Sequence, residues 1–220
     1  MRTFEEIDLF LFDLDGLLVD TEILHWKAYQ KMCQVFGYTL DWDFRTYLQV
    51  AGGSADGIAR RIQREMPQLF FGRKWDELYA IKKEKFLELL ASSPIPLMQG
   101  VEQCLSRLAT LQKPMVVVTH SSTKIVKTVQ ASHPVFSLIT QWVAREMYEA
   151  PKPAPDGYRA ACDILKVAPG RAIGFEDTVR GIDSLLAAGV QPILVNGHDT
   201  AARGYCQQKG LSVIASFSEL

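Results

Sequence analysis

Five continuous apolar runs punctuate this chain: Ile7 to Phe12, Met115 to Val118, Leu138 to Val143, Ala172 to Phe175 and Pro192 to Val195, with Ser212 to Ala215 as a candidate sixth at an edge. Runs rich in β-branched and aromatic residues without polar alternation are buried on both faces, as strands are inside a parallel sheet covered by helices. Between the runs, apolar residues recur at three and four. Val101, Cys104, Leu105, Leu108 and Leu111 predict a helix opening after Gly100; Tyr158, Ala161, Ile164 and Leu165 predict a second, entered at Pro155-Asp156 and ending near Lys166. A third runs through Ile182, Leu185 and Leu186, with Thr178 suited to its N-cap and Gly189 to its C-terminal left-handed position. Strands alternating with helices predict an α/β fold, a doubly wound parallel sheet with right-handed crossovers.

The first interval breaks that rhythm, because roughly a hundred residues separate Phe12 from Met115 where a simple crossover needs far fewer. Glu22 to Val35, Ala55 to Met66 and Trp75 to Leu90 carry helical spacing, so an all-helical cap is predicted as an insertion. The expected division is a Rossmann-like core from 1–17 and 95–220 and a cap from 18–94, with Pro94 and Pro96 stiffening the exit. Within the cap, Lys82, Lys83 and Lys85 beside Glu84 and Glu88 read as a solvated helix face. Trp42, Tyr47 and Trp75 fit either a small helical core or a stacking surface for a base or sugar ring.

Composition narrows the class. A chain of 220 residues, 48% of them hydrophobic, can bury one sizeable core and a second small one. A net charge of −1, with no basic stripe interleaved with aromatics, argues against a nucleic-acid groove. No apolar stretch approaches the roughly 20 residues needed to cross a bilayer, so no membrane partner is expected. Cys33, Cys104, Cys162 and Cys206 form no Cys-x-x-Cys pair and read as core thiols in a reducing, cytoplasmic protein, a monomer or weak homo-oligomer.

The chemistry lies directly after the strands. The first run empties into Asp13-Leu14-Asp15-Gly16, with Asp20-Thr21 close behind; the second is followed by Thr119-His120-Ser121-Ser122, the third by Lys152-Pro153 after a loop, and the fourth by Glu176-Asp177-Thr178. Loops beyond the carboxyl ends of parallel strands converge on one edge of the sheet. Several acids, one lysine and a group of hydroxyls make a poor core but fit a magnesium ion and a phosphate.

These segments resemble the four motifs of the haloacid dehalogenase-like hydrolases, in the branch with a helical cap that includes β-phosphoglucomutase and sugar-phosphate phosphatases. The matching elements are Asp13-x-Asp15-Gly16, Thr119 after an apolar strand, Lys152-Pro153-x-Pro155-Asp156, and Gly174-x-Glu176-Asp177-Thr178-x-x-Gly181. The resemblance implies that Asp13 is the nucleophile, forming an aspartyl-phosphate, and that Asp15 is the acid-base residue. It implies magnesium held by Asp13, the main-chain carbonyl of Asp15 and Asp177, with Glu176 as a direct or water-mediated ligand. Thr119, the main-chain N–H groups of His120 and Ser121, and Lys152 would bind the phosphoryl group. His25, five residues after Asp20, matches a cap histidine of the family; Gly52 and Ser54 match a cap loop that faces substrate. Trp26, Tyr29, Gln49 and Arg60 are further cap candidates.

Retention of Asp15, Glu176 and Asp177 favours phosphoryl transfer over dehalogenation. A mutase must also grip a second phosphate, and the family's mutase loop carries a lysine before its glycine and an arginine after its serine. Here Ala51-Gly52-Gly53-Ser54-Ala55 has alanine at both ends. The expectation is therefore a magnesium-dependent phosphatase for a small phosphorylated metabolite, either a sugar phosphate or a nucleoside monophosphate. A sugar phosphomutase and a catalytically silent binding protein on the same scaffold are the rivals.

Overall fold

The computed structural model describes residues 4–51 and 56–220, so Gly52 and Ser54 lie outside the described residues. In chain order the elements are β1 (Leu9–Phe12), α1 (Glu22–Val35), α2 (Phe44–Ala51), α3 (Gly57–Glu65), α4 (Trp75–Ser92), α5 (Val101–Ala109), β2 (Met115–Val118), α6 (Thr123–Ser132), β3 (Gln141–Val143), α7 (Asp156–Leu165), β4 (Ala172–Glu176), α8 (Val179–Ala188), β5 (Gln191–Val195), α9 (Thr200–Gln208) and β6 (Ser212–Ile214). The chain divides into two compact units, Met1–Asp20 with Ile95–Leu220, and Thr21–Pro94.

The first unit is a six-stranded sheet in the order β3-β2-β1-β4-β5-β6, parallel throughout. All residues of β1, β2 and β4 are buried, as the unbroken apolar runs require. Phe12 of β1 stacks on Phe175 of β4 with ring centroids 5.0 Å apart; full burial of each such ring contributes roughly 1.5–3 kcal/mol. The chain runs outward from β1 to β2 and β3 and returns to β4 on the other side. The order therefore reverses between β1 and β4, the place where open α/β sheets bind ligands. Register does the rest: Phe12 pairs with Phe175, and the Asp13 N–H donates to the Phe175 carbonyl at 3.1 Å, which sets Asp13 beside Glu176.

Local signals explain the helix ends. The Thr178 hydroxyl accepts from the Gly181 N–H at 3.2 Å and caps α8, which closes on Gly189 at φ +81°. Lys166 ends α7 in the left-handed region. Leu18 to Asp20, placed with the cap from sequence, go with the first unit: Leu18 and Val19 are fully buried, and the Met98 and Asp20 N–H groups tie this stretch to the 96–98 segment. The third strand is shorter than expected, covering only Gln141–Val143. Pro134, which lacks a ladder donor, opens a 3-10 turn that carries the chain to Leu138.

The second unit packs α1 against α4 around Tyr29, Met32, Cys33, Leu40, Trp42, Tyr47, Ile62, Leu69 and Leu78. Trp42 and Tyr47 are buried here, with the Trp42 indole on Glu65 Oε2 at 2.6 Å and the Tyr47 hydroxyl on Glu22 Oε2 at 2.8 Å, so they are core residues and not a stacking surface. Lys82 is not on a solvated face. It is 3% exposed, donates to His25 Nδ1 at 2.6 Å, and lies over the rings of Tyr29, Tyr79 and Phe86. His25 stacks flat on Phe86 at 4.0 Å, and burial followed by the Lys82 charge holds its pKa well below the usual histidine range. Gln49 and Arg60 are exposed, and Arg60 pairs with Asp56 at 2.9 Å.

Candidate active site

The carboxyl ends of β1, β2 and β4, with the loop before α7, bring together Asp13, Asp15, Thr119, Ser121, Lys152, Glu176 and Asp177. One carboxylate oxygen from each of Asp13, Glu176 and Asp177 lies within 4.8 Å of the others. Glycines make that crowding possible. Gly16 sits at φ +84°, where a Cβ would stand 2.4 Å from Asp177 Oδ2; a Cβ on Gly181 would stand 1.9 Å from Glu176 Cδ. Asp177 is further held through its carbonyl by the Asn196 carboxamide at 2.8 Å, just beyond β5.

Lys152 joins the acids. Its ammonium is buried and donates to Asp13 Oδ1, to Glu176 Oε1 at 2.6 Å and to the Val118 carbonyl at 3.1 Å, which accounts for its three protons. Burial alone would push its pKa down, but Asp13 and Glu176 outweigh that and hold it well above the usual value. For Asp13, burial pushes the pKa up to about 7; the Lys152 charge opposes this, and the neighbouring carboxylates of Glu176 and Asp15 reinforce it. Asp177 is raised well above its ordinary value by burial and by the charges of Asp13 and Glu176. Carboxylates pushed upward by one another, with a single lysine among them, form a hard-oxygen cluster suited to a divalent cation.

Asp15 stands apart from that cluster. Its Oδ2 accepts from the Ser121 hydroxyl at 2.8 Å and from the Thr119 hydroxyl at 3.2 Å. The Ser121 main-chain N–H donates to Thr119 Oγ1 at 2.9 Å, as the turn entering α6 folds back on the threonine. The His120 side chain also takes a structural place. Its Nε2 accepts the Lys152 main-chain N–H at 3.0 Å, and burial followed by the charges of Lys152, Arg180 and Arg145 depresses its pKa to about 4, so it is the neutral acceptor that this bond needs.

Two tyrosines were invisible as site residues. Tyr158, fully buried on α7, donates its hydroxyl to Glu176 Oε1 at 2.5 Å, and Tyr148 donates to the Thr119 carbonyl at 2.9 Å. Tyr158 sits at an apolar position of the helical stripe, so periodicity counted it as core and said nothing of its polar tip.

The model of the haloacid dehalogenase-like hydrolases matches residues 10–195, a span that holds Asp13, Asp15, Thr119, Ser121, Lys152, Glu176 and Asp177. The chain belongs to this family. Among relatives of the hydrolase, Protein CbbY of Cereibacter sphaeroides is 29% identical over 227 residues, covering 97% of this chain and 94% of that protein. A probable pseudouridine-5'-phosphatase of Drosophila melanogaster is 30% identical over 194 residues, covering 84% and 80%. The crystal structure of CbbY from Rhodobacter sphaeroides, in complex with phosphate, superposes with a TM-score of 0.74 at 27% identity and covers 97% of this chain and 96% of that one. Among the described residues, no helix is long and apolar enough to cross a membrane.

Proposed function

We propose that this hydrolase is a magnesium-dependent phosphatase that cleaves a small phosphomonoester, a sugar phosphate or nucleoside monophosphate, through an aspartyl-phosphate on Asp13. The observation that carries the reading is Asp13 bonded to the Lys152 ammonium and within 4.8 Å of the carboxylates of Glu176 and Asp177, with Asp15 accepting from two hydroxyls. Asp13, Asp177 and Glu176, with the Asp15 carbonyl, would hold the cation, whose charge keeps the acids ionised and offsets repulsion between a carboxylate and a phosphate dianion.

Asp13 attacks phosphorus, forming a P–O bond to its carboxylate as the bond to the leaving oxygen breaks. Lys152 compensates the charge gathered on Asp13 and on the phosphoryl oxygens. Asp15 gives its proton to the departing alkoxide, then takes one from the water that attacks phosphorus and frees Asp13. The hydroxyls of Thr119 and Ser121 fix the Asp15 rotamer for both transfers. The neutral His120 ring holds the Lys152 backbone, and with it the reach of the ammonium. The four buried, unpaired thiols suit a reducing compartment such as the cytoplasm.

A panel of sugar phosphates and nucleoside monophosphates, assayed for inorganic phosphate with and without magnesium, tests the reading. Magnesium-dependent release that disappears in Asp13→Asn and collapses in Asp15→Ala is expected. Isomerised sugar phosphate without net phosphate release would make the protein a mutase, and no turnover anywhere in the panel would leave a silent binding protein.

A further inference from the structure

The geometry points to Tyr158 as a positioning residue for the cation site: its buried hydroxyl locks the Glu176 carboxylate in the orientation that receives the metal. This inference rests on the reading of the site given above. Tyr158 has no place in the proposed phosphoryl transfer, yet its surroundings make its hydroxyl hard to explain by packing. The ring lies in an apolar cluster with Leu9, Leu11, Val116, Val118 and Val143, where phenylalanine would fill the same space. Burying a hydroxyl there costs roughly 1–3 kcal/mol unless it is bonded, so its retention calls for a partner that gains from it.

That partner is Glu176, 1% exposed, whose Oε1 receives both the Tyr158 hydroxyl at 2.5 Å and the Lys152 ammonium at 2.6 Å. The two donors differ in kind. Lys152 is shared with Asp13, and its ammonium also sits 4.9 Å above the face of the Tyr158 ring. A second, neutral donor satisfies Glu176 without adding charge, so the lysine need not be drawn away from Asp13. Gly181 adjoins the same carboxylate, and its missing Cβ leaves the space that Glu176 occupies. Groups that orient ligating carboxylates in this way typically govern metal affinity or activity by roughly 10–100-fold.

The test is the magnesium dissociation constant of the substrate-free protein, measured calorimetrically in Tyr158→Phe, Glu176→Gln and the double variant. Tyr158→Phe should weaken magnesium binding about tenfold in the native background and less than about twofold beside Glu176→Gln, since the hydroxyl acts through that carboxylate. Tyr148→Phe, which loses a hydroxyl bonded to the Thr119 carbonyl, should leave magnesium affinity within about twofold. At saturating substrate and limiting magnesium, kcat of Tyr158→Phe should fall while KM for the phosphoester holds. Equal effects of Tyr158→Phe in both backgrounds, or none in the native one, would overturn the inference while the wild type still bound magnesium and released phosphate. A wild type that did neither would overturn the reading of the site, and this inference with it.

Discussion

Magnesium affinity should depend steeply on pH below neutrality, because the cation must displace protons that burial and mutual repulsion hold on the acids. Asp13 titrates at about 7 in the folded protein, against 3.8 for a free aspartate. At about pH 5.5 only some 3% of it is ionised, and forming the carboxylate costs about 2 kcal/mol at roughly 1.4 kcal/mol per pH unit. At about pH 8 the cost has nearly vanished, so the magnesium dissociation constant should fall about 30-fold between the two, and further if the raised Asp177 also releases a proton. The same shift acts on stability. Between about 4 and 7 the folded metal-free chain keeps a proton on Asp13 that the unfolded chain has lost, so unfolding free energy falls as pH rises through that window. His25 and His120, whose folded pKa values are depressed, act in the opposite sense, with stability gained as pH rises toward 6.5. The histidine contribution is common to metal-free and metal-bound protein and cancels in their difference. Calorimetric titration at the two pH values, repeated in buffers of different ionisation enthalpy to count released protons, is the assay. Affinities within about threefold of each other, with no proton release, would refute the electrostatic account of the cluster.

Further outcomes follow from single contacts. Gly181→Ala should gain up to about 1 kcal/mol of helix propensity but drive a Cβ into Glu176, so magnesium should no longer raise the melting temperature even though the metal-free protein stays folded. His120→Ala leaves the Lys152 N–H without its acceptor; urea unfolding should show a loss of about 1–2 kcal/mol and phosphate release a slower kcat, and a variant unchanged in both would contradict the role given to the ring. Lys82→Met leaves the buried His25 Nδ1 without its donor, so urea unfolding should show a loss of about 1–3 kcal/mol, and unchanged stability would contradict the contribution given to that contact.

The sheet and the strand-tip residues were legible because three apolar runs end abruptly in chemistry: Phe12 into Asp13, Val118 into Thr119, Phe175 into Glu176 and Asp177. Parallel pairing carries those tips to one edge whatever the intervening chain does. Helix α2 was not read from the spacing, and α6 and α9 were expected without bounds, for local reasons. In α6 only Val126 and Val129 are buried among polar and β-branched neighbours, and α9 carries Gly204 mid-helix and depends on Asp199 accepting from the Ala201 and Ala202 N–H groups. The Lys82 reading failed because a run of charges looks solvated whichever member faces inward. At the site, residue type and order identified the acids and the lysine, but the directions of polar tips are tertiary facts. The inward hydroxyl of Tyr158, the Ser121 N–H folded onto Thr119, and the His120 ring bonded to the Lys152 backbone depend on how α7 seats against β2 and on the turn that leaves β2.

The central claim is that Asp13 becomes covalently phosphorylated, and the direct measurement is acid quenching during turnover followed by peptide mapping of the chain by mass spectrometry. A single phosphoryl group on Asp13, released by hydroxylamine and absent without magnesium, is the predicted result. Steady phosphate release from a chain that carries no phosphoryl group on Asp13 at any quench time, or one that carries it elsewhere, would contradict the account.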